Sequence, residues 1–292
     1  MTRWFAVPSG GTLRRMNLKH LLMPLLATSV LVAACGGSTD KTDAPTTSRA
    51  TLTVATDASY PPIEFMGADG KTIQGMDADL AKALGAKLDM DVRIQHAPFD
   101  SILPGLSTKK FDVGMSGFTD TKEREETFDF VTYFTAGTSF LVNGAGGPAI
   151  NTLDDLCGHS VALSKGTTQV DDATAQSKKC AAAGKPAVRI MTFPDQPGAN
   201  LAVISGRAEV GMADSPGAAY QAKLSGGKLK VVGQPYGTAP YGIALPKGSP
   251  LVQPMQNAMK ALIADGTYGR ILAKYGIESG AIAQPLVNQA AH

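Results

Sequence analysis

From Thr51 onward the sequence alternates short β-rich runs with amphipathic helical ones, and that order leaves few folds open. Thr51–Ala55 (TLTVA) reads as a strand. Met76, Leu80, Leu84 and Leu88 recur every four residues, with Asp77, Asp79, Lys82 and Lys87 between them, which predicts a helix with one buried stripe. Met90, Val92 and Ile94 alternate with Asp91, Arg93 and Gln95, the pattern of a half-buried strand. A helix over part of Asp100–Thr108, weakened by Pro104 and Gly105, leads to a strand at Phe111–Ser116. A second series starts near Asn151, with strands at Val161–Ser164, Ala187–Phe193, Glu209–Ala213 and Lys230–Val232. Its helices fall at Thr167–Ala183, Gly198–Ser205 and Ser215–Leu224. Tyr241–Leu245 then reads as a strand, followed by helices near Leu251–Ala264 and Tyr268–Tyr275. Strand–helix–strand order of this kind predicts an α/β protein with mostly parallel sheets covered by helices.

An internal echo links the two series. Lys110–Gly117 (KFDVGMSG) and Arg207–Asp214 (RAEVGMAD) both read base, apolar, acid, Val-Gly-Met, small residue, candidate contact. Each predicts a tight turn and a strand whose C-terminal tip carries a functional group. Ligands of open α/β sheets sit beyond such tips. Two lobes with facing tips would form a cleft.

The first 34 residues are an address rather than part of that fold. Arg14, Arg15, Lys19 and His20 precede the apolar run 21–34, which is shorter than the roughly 20 residues a membrane span needs. This reads as a secretory signal, with Met16 the more usual start. Cys35 follows Val32-Ala33-Ala34, which resembles a bacterial lipobox, so Cys35 is the expected lipidated residue. Residues 35–50 lack apolar periodicity and read as a flexible tether. The chain's charge of +2 depends on this segment. Residues 1–34 hold four of the 27 bases and none of the 25 acids, leaving 23 − 25 = −2 for the remainder. That balance gives no electrostatic footprint for nucleic acid. Export implies an oxidising compartment, where Cys157 and Cys180 would pair; two buried thiols are the alternative. Four His and no CxxC make no metal constellation, and no cofactor is expected.

At Ala55–Phe65 (ATDASYPPIEF) the chain resembles the opening of bacterial extracellular solute-binding proteins of family 3, the polar amino-acid class. Gly75–Leu80 (GMDADL) is similar to that family's Gly-Phe-Asp-Val-Asp-Leu signature, and Asp265-Gly266-Thr267-Tyr268 also matches. The resemblance runs from about Thr51 to Ile277. It implies a two-lobed periplasmic-binding-protein-like fold, each lobe a mostly parallel sheet flanked by helices, joined by a two-segment hinge. Lobe 1 would take 51–142 and 240–280, lobe 2 would take 143–239, and 281–292 would be a tail. The hinge crossings would lie near Val142–Gly144 and Thr238–Tyr241. The implied function is not catalytic. It is the extracytoplasmic substrate-binding component of an amino-acid ABC importer, a lipid-anchored monomer that closes around a polar or basic amino acid and hands it to a membrane permease. A periplasmic dehydratase-like enzyme and a ligand-sensing subunit for a membrane partner are the competing readings, since one fold hosts several functions.

The resemblance also assigns the site. Arg124 would fork onto the ligand α-carboxylate, because a planar guanidinium matches a carboxylate with two parallel bonds. Taken alone it belongs to a charge run, Lys122–Glu126, that would face water. Asp120 and Glu123 have the spacing of a helix cap and its reciprocal partner. Thr167, Thr168 and Gln169 would supply donors to the same carboxylate, with Thr167 as a simple helix cap the bland alternative. Asp214 would accept from the ligand ammonium, helped by the Gly117 carbonyl and Thr119 hydroxyl; as N-cap of the Ser215 helix it would need no ligand. Tyr60 and Phe99 would sandwich the ligand, and Ser116 completes this shell. Asp57 and Glu64 would face the ligand side chain. Among nucleotide motifs, no Gly-x4-Gly-Lys-Ser/Thr occurs, so the energy for transport comes from elsewhere.

Overall fold

The computed structural model describes residues 49–290. The signal-segment and Cys35 expectations lie outside them. Lobe 1 opens with β1 (Thr51–Thr56). A small antiparallel sheet follows: β2 (Ser59–Tyr60), β3 (Glu64–Met66) and β4 (Ile73–Gln74). Then come α1 (Met76–Leu88), β5 (Asp91–His96), α2 (Phe99–Ser107), β6 (Val113–Gly114) and the one-turn α3 (Lys122–Glu125). The long strand β7 (Phe128–Asn143) crosses into lobe 2. Lobe 2 contains β8 (Ser160–Ser164), α4 (Thr168–Ala182), β9 (Arg189–Phe193), α5 (Gln196–Ile204), β10 (Val210–Asp214) and α6 (Ser215–Leu224). A second long strand, β11 (Leu229–Pro246), returns to lobe 1, which ends with α7 (Val252–Ala264) and α8 (Thr267–Tyr275).

The eight main strands run β5-β1-β6-β11-β7-β10-β8-β9. Pairs made only by short strands are parallel: β1 with β5 and β6, β8 with β9 and β10. The two crossing strands supply the antiparallel pairs. In lobe 1, α1 packs its Met76, Leu80 and Leu84 stripe with Met255, Met259 and Leu262 of α7 and Leu272 of α8. Ile102, Leu106, Phe111, Phe118 and Phe130 fill the other face. Lobe 2 has its own clusters around Val161, Leu163 and Val210 and around Ala199, Ala202 and Val203. Cys157 and Cys180 form a disulfide, with Cα atoms 5.6 Å apart.

Two expectations change. The strand β7 carries no period-2 pattern, because fourteen of its sixteen residues are apolar, small or hydroxyl-bearing and it is buried on both faces along most of its length, so it did not read as a strand. It pairs with β10 over Thr138–Val142. Part of the C-terminal segment 281–290 lies beside β7. The Thr132 N–H donates to Leu286 O (2.9 Å) and the Asn288 N–H to Phe130 O (3.0 Å), fixing this segment along β7. Asp77 sits among charges that would face water, yet it is 1% exposed, because the first turn of α1 points at the loop after β6.

Candidate functional site

The C-terminal tips of β1, β6, β8 and β10 converge between the lobes. A narrow cavity of about 40 Å³ lies among them, the space left between the lobes in this conformation. All twelve residues singled out as ligand contacts line it: Asp57, Tyr60, Glu64, Phe99, Ser116, Gly117, Thr119 and Arg124 from lobe 1, and Thr167, Thr168, Gln169 and Asp214 from lobe 2. Ser59, Ser164 and Gln196 line it as well and were not found from sequence.

Arg124 does not face open water. Its Nη1 donates to Thr119 O (2.7 Å) and its Nη2 reaches across the cleft to Gly166 O (3.1 Å). The guanidinium stands 5.9 Å from the Phe99 ring centre and 5.6 Å from that of Phe118. Thr121, not Asp120, caps α3, its hydroxyl accepting from the Arg124 N–H (3.2 Å). Asp120 instead accepts from the Gln289 N–H (2.7 Å).

Asp214 ends β10 and does not cap α6 with its side chain. Its Oδ1 accepts from Gln169 Nε2 (2.7 Å) and its Oδ2 from the Tyr241 hydroxyl (2.6 Å). Its own N–H donates to the Tyr60 hydroxyl (2.8 Å). Burial raises its pKa, while the bonds from Tyr241 and Gln169 and the charge of Arg124 pull it back down. Tyr241 was read as the start of a strand and the end of a hinge crossing, so its role as a partner of Asp214 was missed. Thr167 does not cap α4; its hydroxyl donates to Ser164 O (2.8 Å), so the first N–H groups of that helix are left to other acceptors.

The remaining acids cluster on the lobe 1 side. The Asp57 N–H donates to Ser116 Oγ (2.9 Å), and that hydroxyl donates to Glu64 Oε1 (3.1 Å). Burial raises Asp57; Glu64 is raised well above the carboxylate range, by burial first and then by the charge of Asp77. Gly117 takes φ +58°, and a Cβ there would lie 3.3 Å from the Tyr241 ring, so this turn favours glycine. A second, wider cavity adjoins the first and shares Thr119, Arg124, Thr168 and Asp214 with it. Its wall adds Asp120, Glu123, Asp171 and Asp172, five acids with Asp214 against the single cation Arg124.

The lobes touch directly at several points beyond Arg124. Lys165 Nζ of lobe 2 pairs with Asp100 Oδ2 of lobe 1 (2.7 Å). A Cβ built on Gly217 of α6 would lie 2.6 Å from Tyr60 Cζ. The structure is therefore a closed form.

Residues 52–278 match the family model of bacterial extracellular solute-binding proteins, family 3. The chain is similar to the arginine-binding protein ArgT of Corynebacterium glutamicum, 36% identical over 242 residues that make up 82% of this chain and 79% of that protein. It is also similar in structure to an ancestral arginine-binding protein. Bound to arginine, that protein gives a TM-score of 0.71 at 34% identity, over 78% of this chain and 98% of the other. Bound to glutamine, it gives 0.70 at 35% identity, over 79% and 99%.

Proposed function

This chain belongs to the bacterial extracellular solute-binding proteins, family 3, and we propose that it binds an amino acid with a cationic side chain, arginine foremost, and closes around it. As a substrate-binding component of amino-acid import, it hands that ligand to a membrane permease. It acts as a monomer without catalysing a reaction, exported and held at the membrane through Cys35. The acid excess of the cleft carries the ligand class: five carboxyl groups in the adjoining cavity wall and Asp57 inside, against Arg124. A cleft lined by one sign of charge concentrates ligands of the other. The arginine-binding relative and ancestral structure support the same choice.

The roles follow from the donors each group has left. Arg124 spends two N–H bonds on carbonyls and has others for an α-carboxylate, which the first N–H groups of α4 also serve. Each Asp214 oxygen already accepts one bond and keeps a further lone pair for the ligand ammonium. Phe99 and Tyr60 flank the ligand, and Asp57, Ser116 and Glu64 meet its side chain. Arg124 and Asp214 sit in different lobes, so a zwitterion touching both binds the closed form better than the open one, which is what drives closure.

A thermal-shift screen against the twenty amino acids, followed by calorimetry, tests this. Arginine raises the melting temperature, and Arg124→Ala or Asp214→Ala weakens binding at least tenfold, about 1.4 kcal/mol. Unchanged affinity in either variant removes that residue from the site, and a screen in which no amino acid stabilises the protein removes the ligand class.

A further inference from the structure

Beneath the cavity, Glu64 of β3 and Asp77 of α1 are both buried, each 1% exposed. Two of their four carboxyl oxygens have donors. Asp77 Oδ2 accepts from the Gly117 N–H (3.1 Å) and from the Tyr133 hydroxyl (2.9 Å), and Glu64 Oε1 accepts from Ser116. The other two oxygens, Glu64 Oε2 and Asp77 Oδ1, have no N–H or O–H donor among the described residues. Yet adjacent residues hold the two carboxyl groups, Ser116 bonding Glu64 and the Gly117 N–H bonding Asp77, and each acts on the other's ionisation. Two buried carboxylates facing each other repel and cannot both ionise; one proton between them satisfies both orphan oxygens at once.

We propose that Glu64 and Asp77 share a single proton in the ligand-free protein and that a cationic side chain in the cavity displaces it, so that a cationic amino acid binds with proton release and a neutral one without. The proton sits on Glu64 and the charge on Asp77, because Asp77 has two donors for its charge and Glu64 has one. The shifts run the same way: burial and Asp77 raise Glu64 far above its ordinary value, while burial raises Asp77 to about 6 against the lowering bonds it receives. The groups facing the pair deepen this. Asp57 at the β1 tip raises Glu64 further, with His96 of β5 3.8 Å from that Asp57 carboxylate. From β2 Tyr60 and from β7 Tyr133 are both held neutral, each raised by burial first and also by these acids. The one cation lining the same cavity is Arg124, which is bonded to Thr119 and Gly166.

A guanidinium or ammonium brought against Glu64 supplies the missing charge. Glu64 then ionises, its proton passes to solvent, and the cation pairs with the carboxylate. A neutral amide side chain needs only an acceptor, which the protonated group still offers, so the proton stays. The cavity thus accepts two ligand chemistries with one acid, and the choice between them depends on pH. Releasing one proton makes arginine affinity rise with pH by up to about tenfold per unit, until the shared proton is lost from the free protein too.

The inference rests on the reading that the ligand is an amino acid, and the experiment separates the two. Titration calorimetry of the full chain with L-arginine and with L-glutamine, in phosphate and in Tris at the same pH, counts the protons exchanged. About one is released with arginine and almost none with glutamine. Glu64→Gln abolishes the release, and Asp77→Asn lessens it, since burial alone still favours the proton on Glu64. Infrared spectroscopy of the ligand-free protein near neutral pH adds a readout that needs no ligand, the carbonyl stretch of protonated carboxyl groups, which loses intensity in Glu64→Gln. Arginine binding without proton release overturns the proposal and leaves the ligand class standing. A band that is absent, or that keeps its full intensity in Glu64→Gln, overturns it even if no amino acid binds.

Discussion

Replacing Gly217 by alanine separates closure from folding. Gly217 lies in α6 of lobe 2, and the Cβ of an alanine there would come within 2.6 Å of Tyr60 Cζ, 2.7 Å of its hydroxyl oxygen and 2.9 Å of Cε2. Tyr60 belongs to lobe 1, and its hydroxyl is tied to the Asp214 backbone across the cleft. To make room, the ring must move off that bond or the lobes must part. Overpacking of this kind costs about 1–3 kcal/mol, and the lost hydrogen bond adds about 1 kcal/mol. The penalty falls on the closed form alone, so ligand affinity drops by about 2–4 kcal/mol, or roughly thirty- to several-hundred-fold. In the open form the same alanine meets no Tyr60. There, in the first turn of α6, it favours the helix by at most about 0.5–1 kcal/mol relative to glycine. The expected result is a Gly217→Ala protein that melts slightly higher than its parent without ligand and binds arginine far more weakly by calorimetry. Unchanged affinity, or a ligand-free melting temperature that falls, would refute the idea that this contact forms only on closure.

Asp120, raised to about 7 chiefly by burial and then by its bond with Glu125, binds a proton more tightly folded than unfolded. Stability therefore declines as pH rises from its unfolded pKa towards about 7, and Asp120→Asn, which keeps an acceptor for the Gln289 N–H, makes denaturation midpoints measured across that window flatter. An identical pH slope in the variant would exclude Asp120 as a source. Removing the Cys157–Cys180 bridge, which spans 23 residues, costs roughly 3 kcal/mol and lowers the melting temperature by about 6–12 °C; a double alanine variant that melts like its parent contradicts that estimate. Cys35→Ser moves the protein from the membrane fraction to the soluble one, and membrane retention in the variant would show that the anchor lies elsewhere.

What the sequence made legible followed from local rules. The α1 stripe, the strand β1 and the series of lobe 2 each satisfy a period, and each forms within a few residues of its expected bounds. The candidate site residues were located by ordered motifs, and all of them line one cavity. The failures share another cause. Gly198–Ser205 began late because Asp195 caps α5 from outside the apolar run, its side chain accepting from the Gly198 N–H (2.8 Å). The strand β7 and the single strand β11, read as two pieces, are hinge strands whose pairing is set by partners distant in sequence. Asp77, Tyr241 and Gln196 take their functions from contacts 40, 27 and 16 residues away, with Gly117, Asp214 and Met212 in turn. No window of sequence carries such information, because the residue types are compatible with an ordinary surface or core position.

The internal echo gives the deepest link between sequence and site. In lobe 1, Asp112 Oδ2 accepts from the Thr53 N–H at the start of β1 (2.7 Å); in lobe 2, Glu209 Oε2 accepts from the Ser160 N–H at the start of β8 (2.9 Å). Arg93 stands in register with Thr53, and Arg189 with Ser160. The repeated acid therefore fixes the beginning of the central strand in each lobe, and the repeated Val-Gly-Met runs to the tip. There the two copies diverge, with Gly117 in one and Asp214 in the other. Gly117 turns its N–H to Asp77 and lets Tyr241 approach. Tyr241 in turn holds Asp214. In the closed form the carboxylate of one lobe is thus steadied by the other lobe, at the cost of a raised pKa from burial. A cation arriving between the tips removes that cost, and the free energy recovered favours closure only if the lobes are already built to bring Tyr60 and Tyr241 onto Asp214.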